Sequence, residues 1–217
     1  MIRLAWPDDA LLATFDAPRR CLSSAVLNGG VVTARHWLNV QVGHDYARLD
    51  PEAHLREAAA ARGLDPGETI GMLTAADVRA GVRRDRGAVC VVATVGIGEP
   101  LAAAGRRPHD LPRIGTINVL VAVDAALTDA ALVAAVQTAT EAKAQALSDV
   151  GVPALNHDGP ATGTATDSIC VAVTPGDGVP FAGPATPIGG AIALAVHSAV
   201  ASGARVYGHV AATREDL

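Results

Sequence analysis

The sequence is poor in aromatic residues, in positive charge and in cysteine. Two Trp, two Tyr and two Phe are all that 217 residues contain, too few for the stacking platforms on which single-stranded nucleic acids are held. Lys and Arg number 17 against 22 Asp and Glu, a net charge of −5, so no basic surplus exists to neutralise phosphates. Nucleic acid is therefore excluded as an expected partner. Three cysteines, Cys21, Cys90 and Cys170, are scattered without CxxC spacing; an odd count closes no complete disulfide framework and suits a reducing compartment. The segment MIRLAWPDDALL sets Asp8 and Asp9 where a signal peptide needs its apolar stretch, and no uninterrupted apolar run approaches the ~20 residues of a membrane span. A cytoplasmic protein with no membrane partner is expected. The seven histidines show neither HxH nor HExxH spacing, and P-loop and GxGxxG patterns are missing, so neither a metal cage nor a nucleotide loop is expected.

What is present is apolar. Half the residues are hydrophobic and 18% are charged, far from a disordered composition, and the core must be built from Ala, Val, Leu and Ile. Without repeats or a linker-like tract, one layered domain over residues 1–217 is expected. Cys21 to Leu27 and Val31 to Val42 are strand-like runs joined by Asn28-Gly29-Gly30, a cluster suited to the positive φ angles of a hairpin. In the second run Val32, Ala34, His36, Leu38, Val40 and Val42 share one parity, while Trp37, Asn39 and Gln41 take the other, which predicts one greasy and one decorated face.

Asp50-Pro51-Glu52 reads as an N-cap, a proline at the first helical position and a first-turn acid, opening a surface helix that ends near Gly63. VCVVATV and INVLVAV, within Gly87 to Gly98 and Ile117 to Leu127, are runs of the kind seen when helices cover both faces of a strand. Thr128 caps a long helix to about Asp149, Thr164 to Thr174 reads as a strand, and Thr186-Pro187 opens a last helix to about Ser202. The predicted class is mixed α/β: a partly antiparallel sheet flanked by helices.

On the long helix Lys143 falls roughly 20° from Leu132, between Val136 at roughly 40° and Ala139 at roughly −20°. An ammonium in an apolar stripe must snorkel, lose its proton or meet a carboxylate. Glu141 lies roughly 180° away, on a solvated face. Asp167 shares strand parity with Ile169, Val171 and Val173, so it is the partner to test; its plain alternative is a capping carboxylate at a loop edge. Thr162, Thr164, Thr166 and Ser168 cluster hydroxyls around it. Ser23 and Ser24 precede the Asn-Gly-Gly turn, His36 sits on the apolar parity, and His197 lies roughly 180° from Ile188; none makes a Ser-His-Asp set alone.

Seven segments, LSSAVLNGG (22–30), LNVQV (38–42), GMLTAADV (71–78), GTINVLV (115–121), TEAKAQAL (140–147), ATGTATDS (161–168) and FAGPATPIG (181–189), resemble in order the adenosylcobinamide amidohydrolase family. The likeness covers about residues 20–202. It implies hydrolysis of the amide that joins (R)-1-aminopropan-2-ol to adenosylcobinamide, yielding adenosylcobyric acid for cobamide salvage. The corrinoid is then the substrate, and no cofactor or metal is expected. On these blocks, amide hydrolysis needs an activated water or hydroxyl, oxyanion donors and an acid for the leaving amine. Asp167 paired with Lys143 is expected in proton transfer, with Thr166, Ser24 or Thr164 as nucleophile or water holder. Asn28, Asn118 and the backbone around Gly115 and Thr116 are the expected oxyanion or carboxamide donors, while Asn39 and Gln41 would bond the carboxamides of the ring. The Pro/Gly-rich stretch from Glu99 to Pro112 reads as a lid or as a disordered surface loop. Two other functions stay open, a corrinoid-binding module without catalysis and an amidase of a non-corrinoid substrate. The apolar excess leaves room for a homo-oligomer.

Overall fold

The computed structural model describes residues 2–106 and 115–215, the side chains of 208–215 excepted. Its centre is a pair of parallel strands, β8 (Thr116–Val123) and β10 (Ser168–Val173), in which every residue is buried. They pair from Ser168↔Asn118 to Val173↔Val123, and a parallel pair needs a crossover, here made by α2 (Asp129–Val150). Around them runs an eight-stranded sheet of order β4-β3-β2-β10-β8-β6-β5, with β1 (Ile2–Ala5) beside β2. Its other members are β2 (Ala10–Ser23), β3 (Gly30–Gln41), β4 (Thr69–Thr74), β5 (Val82–Arg86) and β6 (Val89–Gly96). The β3–β4 and β8–β10 pairs are parallel and the rest antiparallel, so the sheet is mixed, as expected.

Strand parity divides the interior. Ile117, Val119, Val121 and Val123 join Ile169, Val171 and Val173 under α2 and α3 (Pro187–Glu215), where Ile192, Val196 and Val200 are fully enclosed. Such a 21-residue apolar stretch, 187–207 with mean hydropathy 1.4, is long and apolar enough to cross a membrane, but here its apolar face fills the core. The alternate residues Leu120, Ala122, Cys170 and Ala172 meet Trp37, Ile70 and Met72 on the opposite side. That contact exists because the sheet coils until its β3–β4 edge returns over β6 and β8. Buried side chains close the seam: Asn39 Nδ2 donates to Thr94 Oγ1 at 2.8 Å and Asn118 Nδ2 to Leu73 O at 2.8 Å.

The predicted hairpin is present, with Ser23↔Gly30 as its last pair and positive φ at Asn28 (54°) and Gly30 (87°). Its turn is longer than expected, since β2 stops at Ser23. β2 also begins eleven residues before the predicted strand start at Cys21. A register shift between Thr14 and Arg19 spans Pro18, which has no N–H for a ladder. β1 flanks the first half of β2 and β10 the second. The two-faced reading of β3 is corrected: Leu38 and Val40 pack beneath Leu55, Ala58 and Ala59 of α1 (Pro51–Ala61), while Trp37 and Asn39 on the other face are equally buried because the coiled sheet covers them.

Thr128 caps α2 as expected, accepting from Ala131 N at 3.2 Å, and Gly151 ends it at φ 81°. Asp50 makes no cap bond to α1, because its carboxylate is engaged by Arg48 at 2.8 and 2.9 Å. α3 runs thirteen residues past the predicted end at Ser202.

Candidate active site

The lysine in the apolar stripe of α2 has its carboxylate. Lys143 Nζ donates to Asp167 Oδ2, and the two side chains keep 9% and 11% exposure. Ala139, Ala142 and Ala146 are buried around Lys143 on the helix, and their small size lets α2 lie close to the sheet. Gly163, in the short strand β9 (Gly163–Thr164), completes the fit, since a Cβ there would overlap the carboxylate and lie 2.6 Å from Lys143 Nζ. Asp167 accepts from four donors: Lys143 Nζ, Thr164 N at 3.1 Å, Thr164 Oγ1, and Ile117 N at 2.9 Å. A carboxylate offers about four lone-pair sites, so all of them are engaged and the carboxyl group is held rigidly.

Asp167 also lines an open cavity of about 230 Å³, at the edge where β8 and β10 begin and β2 and β4 end. Ser24, Thr116, Asn118, Thr166 and Ser168 form its polar end, and Val26, Val42, Tyr46, Met72, Leu73 and Ala75 its apolar wall. The hydroxyls are tied in pairs. Thr166 Oγ1 lies 2.6 Å from Thr116 Oγ1 and donates to Gly115 O at 3.0 Å. Ser24 Oγ lies 3.1 Å from Ser168 Oγ and accepts from Ile169 N at 3.1 Å.

Of the residues expected here, Ser24, Thr116, Asn118, Thr166 and Asp167 meet in the cavity wall, with Lys143 and Thr164 directly behind Asp167. Thr164 is the hydroxyl bonded to the acid, and its Oγ1 also lies 2.9 Å from Gly115 O. Gly115 enters through that carbonyl, as an acceptor. The expected amide donors require correction. Both side-chain hydrogens of Asn118 are spent, on Asn39 Oδ1 and Leu73 O, each at 2.8 Å. Those of Asn28 go to Pro66 O and Thr69 O, each at 2.7 Å, clamping the hairpin turn to the start of β4. Asn39 is fully buried between Thr94 and Asn118, outside the cavity lining. Gln41 Oε1 accepts from Val78 N at 3.2 Å, outside the cavity lining.

Both histidines stand apart from the pair. His36 Nδ1 contacts Thr14 Oγ1 at 3.2 Å, and burial holds its imidazole below the ordinary value. His197 Nε2 meets Asp149 Oδ2 at 2.8 Å, tying α3 to α2, and Glu141 is exposed. The stretch from Glu99 to Pro112, expected as a lid or a surface loop, is described up to residue 106. Pro100–Leu101 forms a short strand, β7, paired with β9, and Asn156 Oδ1 accepts from Ala102 N at 2.8 Å. These contacts set the described part of the stretch, residues 99–106, against the Thr164 loop; residues 107–112 lie outside the described region.

Sequence reasoning missed the wall supplied by Met72 to Ala75, at and just past the end of β4, together with Tyr46, and it missed Thr94 behind Asn39. The signal was faint. TIGMLT is short and broken by Gly71, where a Cβ would lie 3.0 Å from Leu27 Cβ, so the glycine serves close strand approach. Tyr46 sits in an irregular loop and is held by stacking on His54, with a 3.0 Å contact from its hydroxyl to Nδ1.

Six of the seven quoted segments converge on the cavity or the ion pair. The exception, 181–189, anchors α3 to α2 through Thr138 Oγ1, which donates to Ala182 O at 3.1 Å. The family described as adenosylcobinamide amidohydrolase matches residues 3–212. A Halobacterium salinarum protein named adenosylcobinamide amidohydrolase is 34% identical over 182 residues, which span 80% of this chain and 75% of that one. A Methanosarcina mazei protein of the same name is 29% identical over 195 residues, 85% of this chain and 90% of the other. An uncharacterized Methanocaldococcus jannaschii protein is 41% identical over 88 residues, 40% and 34% of the two chains. A match over nearly the whole chain, in segments that fold around one acid–lysine site, establishes that this chain belongs to the adenosylcobinamide amidohydrolase family.

Proposed function

We propose that the protein hydrolyses the amide joining aminopropanol to the corrin ring of adenosylcobinamide, giving adenosylcobyric acid and the free amino alcohol for cobamide salvage. The observation that carries this reading is the buried Asp167–Lys143 pair, whose acid lines a cavity sized for an arm. At about 230 Å³ the cavity falls below the ~300–1,000 Å³ usual for whole small molecules. The macrocycle stays outside and inserts the amide arm, its apolar atoms against Val26, Met72 and Leu73 and its polar groups among the hydroxyls.

Water is the nucleophile in this reading. Thr166 and Ser24, the nucleophile candidates in the lining, have partners other than Asp167, so neither has the adjacent base that activates a hydroxyl. Asp167 takes a proton from water as it adds to the carbonyl carbon. Thr164 makes room, because its single proton can turn from Asp167 Oδ1 to Gly115 O at 2.9 Å and free a lone pair. Lys143 donates to the acid and steadies it through the cycle. The proton then passes to the departing nitrogen, the C–N bond breaks, and one water has been consumed for one acid and one amine. Three free thiols support a cytoplasmic setting for this chemistry.

Incubating purified protein with adenosylcobinamide tests the reading. Release of aminopropanol with formation of a new corrinoid carboxylate is the expected result. Tight corrinoid binding without product would replace it with a binding module, and turnover confined to a panel of non-corrinoid amides would replace the substrate.

A further inference from the structure

We infer that Asn118 recognises the nitrogen side of the scissile bond: its Oδ1 accepts the substrate amide N–H, with Asn39 and Thr94 as positioning residues behind it. This rests on the amide-hydrolase reading above and specifies how that site tells an amide from other acyl compounds. Asn118 is completely buried, yet it forms part of the cavity wall. Nδ2 donates to Asn39 Oδ1 and to Leu73 O, each at 2.8 Å. The orientation of the side-chain amide is thereby determined, because the reversed form would set an oxygen against two acceptors.

Oδ1 is left as a buried acceptor with no hydrogen-bond partner among the described residues. Buried polar atoms of native proteins are almost always paired, and an orphan in a cavity wall needs a donor from outside the chain. The support behind it is continuous. Asn39 is also fully buried, and its Nδ2 donates to Thr94 Oγ1 at 2.8 Å, so a chain of hydrogen bonds runs from β6 through β3 to β8 and ends at the unpaired oxygen. Asn118 pairs in register with Ser168, the residue after Asp167, which places this acceptor one strand from the acid. An amide carrying one N–H satisfies Oδ1. An ester would set its bridging oxygen against Oδ1, lone pair to lone pair, leaving both unpaired.

The test compares kcat/KM for adenosylcobinamide with that for the corresponding ester, in which propane-1,2-diol replaces aminopropanol, alongside thermal melting. In Asn118→Ala the amide value should fall about tenfold, the scale of one hydrogen bond, while the ester value holds or rises. Thr94→Val should move the amide-to-ester ratio the same way by a smaller factor, and Thr94→Ser should restore it. If Asn118→Ala does not fold, the two Thr94 variants carry the comparison. Equal losses on amide and ester, with the ratio unchanged in a wild-type background that does cleave adenosylcobinamide, would overturn this inference alone. A wild-type protein that cleaves no adenosylcobinamide overturns it together with the reading it rests on.

Discussion

Replacing Asp167 with Asn separates the structural work of the ion pair from its chemistry. Both side chains are about nine-tenths buried, so solvent screens little of what is lost. Asp167→Asn strands the Lys143 ammonium and turns one of the two oxygens, which together receive four donors, into a donor itself. Breaking a buried pair from one side costs about 3–5 kcal/mol. At about 2–4 °C per kcal/mol for a chain of this length, the melting temperature should drop by about 6–20 °C. The double variant Lys143→Met/Asp167→Asn removes the stranded charge, and buried pairs replaced by apolar groups are often neutral in stability. Its melting temperature should therefore return to within a few degrees of wild type. Turnover should not return, since loss of a proton-transfer group costs about 10²–10⁴ in rate. Thermal unfolding followed by aminopropanol release from adenosylcobinamide measures both quantities on one preparation. A single variant that melts within ~2 °C of wild type would refute the burial argument, and a double variant that regains turnover would reduce the pair to a structural contact.

Gly163→Ala should lower both melting temperature and turnover, by the ~1–3 kcal/mol of an overpacked site in stability, because the added Cβ overlaps the Asp167 carboxylate; unchanged melting would show that α2 gives way freely. Cys90, whose thiol is pushed up to about 12 by burial and then by the neighbouring Asp85, should alkylate about a thousandfold more slowly at pH 8 than a small-molecule thiol titrating at 9.0. Peptide mass spectrometry over time reads that rate, and rapid labelling would mean the thiol is open. His36 binds its proton less readily when folded, because burial lowers it from the ordinary 6.5. Its contribution is therefore favourable above 6.5 and is lost as pH falls through the lowered folded value. His36→Gln should flatten the decline of denaturation midpoint below neutrality; an unchanged slope would assign that decline to other groups.

Much of this architecture is written in local patterns. The largely apolar run of β8, the Thr128 cap and Gly151 stop of α2, and the Asn-Gly-Gly turn each carry their structure in a few neighbouring residues, which is why periodicity and turn chemistry locate them. Asp50 shows the limit of that logic, since its carboxylate satisfied Arg48 two residues away instead of the helix end. β4 was illegible for a related reason: six residues with a central glycine become a strand only by pairing with β3.

The acid and the lysine were both visible in one dimension, Asp167 by strand parity and Lys143 by its place in a helical stripe, because alternation at 2.0 and 3.6 residues reports which face an element buries. Their meeting across 24 residues follows once β8, α2 and β10 form one crossover unit. The amides were misjudged because parity says which way Asn39 and Asn118 point and is silent on what lies opposite. Only the coiling of the sheet brings Thr94, Asn39, Asn118 and Leu73 together, a contact between residues up to 79 apart in sequence. That closure turns two expected donors into a spent chain ending in one free acceptor. Hydrogen-bond capacity is a property of the neighbours a side chain acquires on folding, and no sequence pattern enumerates them in advance.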